Sequence, residues 1–278
     1  MNRRNFLERV GGATAAAMLP LGRRRLVRDH IDKIGLQLYT VRDRMGVSVE
    51  RTLADVAAIG YKEVEFAGYF NRPPRAIKQL LDDNGLKSPS AHIGLGALRG
   101  PWNRTLSDAA EIDHKWLVIA SVDRSDRDSL DAIKRTADLV HKAADDAHYY
   151  KIKLAYHNHS EEFSLVEGKP VYEHLLELTK PKDLDFEMDL YWITRGGGDP
   201  LAYFKQWPGR FPLVHVKDAG PAPVYAMEDV GKGTIPWAQI FAHRKEAGIK
   251  HYFVEHDNPA DSLASIKASY AYLKTLEF

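Results

Sequence analysis

From residue 33 onward, short strand-like runs alternate with stretches in which apolar positions recur every three or four residues, and the alternation continues to the C-terminus. The spacing predicts strands at Lys33–Tyr39, Glu63–Phe66, Ser88–Ile93, Trp116–Ala120, Ile152–His157, Leu184–Leu190, Leu213–Lys217 and Tyr252–His256. Helices are predicted near 48–59, 73–84, 104–114, 126–147, 170–179, 199–206, 236–247 and 260–275. The punctuation agrees: Gly60 and Gly85 follow the first two helices, Asp126 and Asp199 stand at helix starts, and Pro200 occupies a first turn. Eight such units are expected to close into a single (β/α)₈ TIM barrel. A doubly wound open sheet is the alternative, but no glycine-rich phosphate turn follows the first strand.

Composition changes this picture mainly at the N-terminus. Among 278 residues with a formal net charge of +1, residues 1–30 hold seven arginines against Glu8 and Asp29. The remainder then carries 32 basic against 36 acidic side chains, which supplies no field for a nucleic-acid backbone. Arg3-Arg4-Asn5-Phe6-Leu7 ahead of the weakly apolar run Val10–Pro20 resembles a twin-arginine export signal. That resemblance implies a signal segment over 1–28, the twin-arginine machinery as a partner, and a periplasmic or otherwise exported barrel over 29–278. The run is too short for a stable membrane span. With no cysteine, a metal can be held only by His, Asp and Glu.

Barrel active sites lie where strands end, and here those ends are unusually polar. Gln37 and Tyr39, Glu63 and Glu65, His92, His157-Asn158-His159, Glu187 and Asp189, His215 with Lys217 and Asp218, and Glu255-His256-Asp257 all fall there. Period-two alternation puts Glu187 on the face of Asp189 but a layer deeper. Asp189, His215 and Glu255 from three consecutive strands are oxygen and imidazole donors suited to Mn²⁺, Mg²⁺ or Zn²⁺. An Asp189–Lys217 salt bridge is the bland alternative for that polarity. His114, His141, His148, His174, His243 and His251 lie in or beside helical stretches and are read as packing or surface residues.

Several short motifs in this order resemble the xylose-isomerase-like TIM barrels, the sugar phosphate isomerase/epimerase family. They are Ile34–Tyr39, Gly60–Glu65, Ser90–His92, Tyr156–His159, Met188-Asp189, His215–Asp218, Gly231–Trp237 and Val254–His256. The resemblance spans residues 33–275 and implies one divalent metal held by four strand-end ligands. Three map onto Asp189, His215 and Glu255, and the fourth, where many relatives carry Glu, falls on His157. The family further implies Glu65, His92, His159 and Trp237 as substrate-binding residues, with Lys217 placed among the catalytic ones. A Tyr-His-x-His stretch on the fifth strand is also similar to the inosose dehydratase branch.

The activity so implied is isomerisation or epimerisation of a free keto-sugar through an enediolate, with proton transfer by Glu255 and His157. The His157 departure puts a two-glutamate exchange in doubt, although Glu162 could swing in as a replacement acid. Elimination by a lyase or dehydratase needs fewer groups and is the nearest alternative. An exported sugar-binding barrel without turnover is another.

Overall fold

The computed structural model describes residues 29–278, and the export segment expected over 1–28 lies outside them. Each predicted run forms a strand: β1 (Ile34–Gln37), β2 (Glu63–Phe66), β3 (Lys87–Gly94), β4 (Trp116–Ser121), β5 (Lys153–His157), β6 (Leu184–Asp189), β7 (Leu213–Val216) and β8 (His251–Val254). They pair in parallel in chain order, and β8 closes on β1 with Leu36 opposite Val254. The principal helices α1 (Val49–Ile59), α2 (Pro74–Asp83), α3 (Trp102–Ile112), α4 (Leu130–Tyr149), α5 (Val171–Leu178), α6 (Pro200–Gln206), α7 (Trp237–Ala242) and α8 (Ser262–Leu273) form the outer ring. This is a single (β/α)₈ barrel, as expected. Among the described residues no helix is long and apolar enough to cross a membrane.

Local chemistry explains the element ends. Ser48 caps α1 by accepting from Arg51 N, and Asp199 caps α6 by accepting from Leu201 N. Gly60 ends α1 with φ 124°, where a side chain would also strike the Tyr270 ring. Asp126 does not begin a helix: it ends a short 3-10 turn, its carboxylate takes Arg99, and Ser129 caps α4 instead. The helix expected over 236–247 is broken at His243 into α7 and the short Arg244–Ala247.

Alternation along the strands makes two cores. Most apolar residues fill the layer between strands and helices. A smaller cluster of Trp116, Val118, Ala155, Leu213 and Phe253 plugs the barrel interior. Gly35 makes room for the plug, because a Cβ there would lie 2.6 Å from the Phe253 ring. The plug divides the interior into two charged ends.

Candidate functional site

At the lower end, where strands begin, a cavity of about 670 Å³ opens beside Glu63 and His251. Its buried acid is paired, with Glu63 Oε2 2.7 Å from His251 Nδ1. Close by in the same layer, Asp185 Oδ2 accepts from Trp116 Nε1 at 2.8 Å and Lys153 Nζ at 2.7 Å. At the upper end, where strands finish, a cavity of about 630 Å³ is lined by Tyr39, His92, His157, His159, Trp192, Lys217, Glu255 and Asp257. Buried carboxylate oxygens without a hydrogen-bond partner, namely Glu65 Oε1, Glu187 Oε1 and Asp189 Oδ2, gather at this end alone among the described residues. Chemistry rather than volume therefore singles out the upper mouth.

Asp189 shows how the chain divides one carboxylate between two duties. Its Oδ1 accepts from Tyr191 N and Trp192 N, both at 2.9 Å, and so starts the short helix Leu190–Arg195. Asn158 clamps the same residue's backbone, accepting from Asp189 N at 3.0 Å and donating to Asp189 O at 3.3 Å. Oδ2 is thereby held toward the mouth, 3.0 Å from Lys217 Nζ, 3.8 Å from His157 Nε2 and 3.9 Å from His215 Nδ1. Burial raises this acid to about 6 against the opposing pull of Lys217 and His215.

Each of the two central histidines has a carboxylate behind it. His157 Nδ1 donates to Glu187 Oε2 at 3.0 Å, and His215 Nε2 donates to Glu65 Oε2 at 2.8 Å. His215 Nδ1 lies 2.9 Å from Glu255 Oε2. His92 stacks on His215 with ring centroids 5.2 Å apart and reaches Glu187 Oε2 at 2.7 Å and Glu65 Oε2 at 3.1 Å. Lys217 Nζ sits 2.7 Å from both Glu255 Oε2 and Asp257 Oδ1. The Asp189–Lys217 bridge foreseen as the bland reading thus exists, but inside a larger network.

Burial penalises every charge here, and the partners decide the outcome. Burial would lower His92, yet Glu65 and Glu187 raise it to about 10. It would lower His215 too, but Glu187 and Glu255 hold that imidazole well above its ordinary value. Burial together with the neighbouring His215 charge pushes His157 well below. Burial and Glu65 would both raise Glu187, whereas His215 and His92 bring it down to about 2. Lys217 stays protonated despite burial because Asp189, Glu255 and Asp257 face it.

This donor set fits a divalent cation. The Asp189, His215 and Glu255 donors lie within 4.8 Å of one another, Asp189 Oδ2 lacks a hydrogen bond, and His157 Nε2 turns to the same oxygen. A buried carboxylate on the outer nitrogen of a ligating histidine is the usual support of a metal centre. Oxygen and imidazole donors without thiolate suit Mn²⁺, Mg²⁺ and Zn²⁺ alike.

The remaining expectations divide. His92, His157, His159, Lys217 and Glu255 line the mouth, and Glu65 lies buried just beneath them. Trp237 does not line it: the ring is buried and its Nε1 donates to Asp218 Oδ2 at 2.9 Å. Asp218 also accepts from the backbone of Gly231, Gly233 and Ile235, so Trp237 anchors that loop. Glu162 is not free to swing in, because it accepts from Tyr156 Oη at 3.1 Å and His159 N at 2.7 Å. Sequence reasoning undervalued Glu187 and Asp257, although Glu187 carried a signal in its period-two relation to Asp189.

Comparison with known proteins bears on the barrel as a whole. Residues 53–276 match the family described as Xylose isomerase-like TIM barrel. An inosose dehydratase of Lacticaseibacillus casei is 24% identical over 194 residues, covering 62% of this chain. The match spans only 64% of that relative's length. Two solved structures of sugar phosphate isomerase/epimerase proteins from Parabacteroides distasonis superpose with TM-scores of 0.77 and 0.76, at 26% and 27% identity. They cover 86% and 88% of this chain and 92% and 98% of their own.

Proposed function

The chain belongs to the xylose isomerase-like TIM barrel family, and from that premise we propose that it is a metal-dependent lyase of an uncharged keto-sugar, removing a proton α to the carbonyl and expelling a β-hydroxyl or β-alkoxyl group. The observation that carries this reading is the one-sided supply of carboxylates. Asp189, buried on β6, is assigned to the metal; among the described residues lining the mouth the acids are Glu255 and Asp257, which both follow β8, while the other walls present His92, His157, His159 and Lys217. Exchange between two faces of a sugar calls for an acid-base group on each, whereas elimination can run on one.

His157, Asp189, His215 and Glu255 would hold the divalent ion, whose Lewis acidity lowers the cost of charge building on the substrate oxygens. Both Glu255 partners use Oε2, which leaves Oε1 to take the α-proton. The C–H electron pair becomes the new carbon–carbon double bond as the β C–O bond breaks. Glu255 then returns its proton to the departing oxygen, and water or an alcohol leaves. Lys217, fixed as a cation, steadies the oxygen that gains charge. His159 lines the mouth beside Trp192, and burial lowers its imidazole, so a neutral ring offers one N–H and one lone pair to substrate oxygens.

Charge speaks for an uncharged substrate. Glu65, Glu187, Asp189, Glu255 and Asp257 surround or underlie the mouth, and Lys217 already faces three of them. Lys217 is the only lysine or arginine among the described residues lining the mouth, and three carboxylates already hold it, so no unengaged cation side chain of that kind faces a phosphate dianion. The inosose dehydratase relative supports elimination. Isomerisation or epimerisation, the outcome the motifs imply first, is the second reading, supported by the names of the two Parabacteroides proteins.

The test is proton NMR in deuterated water on free keto-sugars and cyclitol ketones, with protein loaded in turn with Mn²⁺, Mg²⁺ and Zn²⁺. Loss of the β-substituent is the expected result. Deuterium entering an intact isomer would favour the second reading. Bound metal with neither change across the panel would overturn both and leave a sugar-binding barrel.

A further inference from the structure

Gln37 ends β1 with its side chain buried, and sits far in sequence from every residue assigned above to metal or substrate. Its amide has one orientation open to it. Oε1 accepts the Tyr39 backbone N–H at 3.0 Å, and Nε2 donates to Glu65 Oε2 at 2.7 Å. A flipped amide would set N–H against N–H and oxygen against carboxylate.

That orientation propagates. Glu65 Oε2 receives Gln37 Nε2 and also His215 Nε2, 150 residues further on and 2.8 Å away. The two nitrogens differ in what they face: Nδ1 is turned to Glu255 Oε2 and Asp189 Oδ2, the carboxylates that would share a cation with it, whereas Nε2 is turned away from them to Glu65. Glu65 Oε1 has no hydrogen bond, so Glu65 acts on His215 through Oε2, the oxygen that Gln37 and His92 also meet, while Glu187 Oε2 lies 3.2 Å from the same His215 nitrogen. The register brings this about, since Gln37 stands opposite Glu65 in the β1–β2 pairing.

We propose that Gln37 is a positioning residue for the metal: by fixing Glu65 against His215 Nε2 it holds the His215 ring with Nδ1 turned to the donors of a divalent cation, and so sets how strongly that cation is bound. The inference rests on the metal-site reading above but not on the reaction assigned to it. Gln37 does not itself line the mouth and makes no side-chain hydrogen bond to the metal donors; its amide meets the Tyr39 backbone N–H and Glu65, and its route to His215 is Glu65.

The experiment measures Co²⁺ and Zn²⁺ affinity of the metal-free full chain by chelator competition, together with the visible absorption of the Co²⁺ form, in wild type, Gln37→Glu and Gln37→Leu. Loss of outer support of this kind weakens metal binding about 10- to 100-fold. Both variants are expected to show that loss and a changed Co²⁺ spectrum. Gln37→Glu keeps the side-chain size, so it carries the test should Gln37→Leu fail to fold. Native affinity and an unchanged spectrum in a folded Gln37→Glu would reduce Gln37 to packing and overturn the proposal. If wild type itself takes up neither ion, the metal-site reading falls and this one with it. A chain that binds metal normally but turns over no sugar leaves the Gln37 result standing.

Discussion

The two ends of the barrel are built from the same strands and enclose cavities of nearly the same volume, yet they treat buried charge in opposite ways. Below the plug, Glu63 and Asp185 each meet their own partners, and among the described residues no acid there is left with a buried oxygen lacking a hydrogen bond. Above it, Glu65, Glu187 and Asp189 each keep one oxygen without a hydrogen bond, and three imidazoles and a lysine crowd among them. A closed ion pair stabilises a fold and has nothing left for a ligand. An over-supplied acidic cluster is costly alone and is relieved by a cation. The difference teaches where to look when cavity size does not discriminate.

The sharpest way to break the contrast is His215→Ala. At the upper end it should drop metal content well below one per chain and cut kcat on the order of a thousandfold, the equivalent of losing several kcal/mol of electrophilic stabilisation. Elemental analysis and steady-state kinetics read the two effects. Full metal content in that variant would erase the distinction between the ends.

The lower end should titrate instead through its fold. Burial lowers His114 to about 4 while Nδ1 bonds Ser88 O at 2.7 Å. The unfolded chain accepts a proton near 6.5 and the folded one refuses it until about 4, so the unfolded state gains as pH falls through that window. Stability from this group is therefore complete above about 6.5 and declines by at most about 3 kcal/mol toward pH 4. Urea melts across pH 7.5 to 4.5 should show a shallower decline in His114→Gln than in wild type, and equal slopes would refute the assignment.

A smaller effect is expected from Asp185→Ala, which strands the Trp116 N–H and frees a half-exposed Lys153. It should cost about 2 kcal/mol in chemical denaturation while metal stoichiometry holds. Loss of metal from this variant would show that the ends are coupled after all.

The barrel was legible in the sequence because each unit repeats the same period change and carries its own stops, such as Gly60 after α1 and Asp199 before α6. Asp189, His215 and Glu255 were legible because they end strands. What escaped depends on partners remote along the chain. Asp126 has the local features of a cap, but Arg99 takes its carboxylate from another element. Trp237 reads as a loop aromatic until Asp218 is seen to accept its N–H. Gln37 acquires meaning only when closure of the sheet puts Glu65, His215 and Glu255 beside one another.

The plug of Trp116, Val118, Ala155, Leu213 and Phe253 also bears on how the molecule can change over time. Its one side-chain donor, the Trp116 N–H, turns to Asp185 at the lower end, so no side-chain hydrogen bond of the plug reaches the upper cluster. Effects at separated sites without shared partners add rather than interact. The upper mouth is thus free to be rebuilt for a different sugar while the lower end supplies stability unchanged, and each end can be tuned by selection without renegotiating the other.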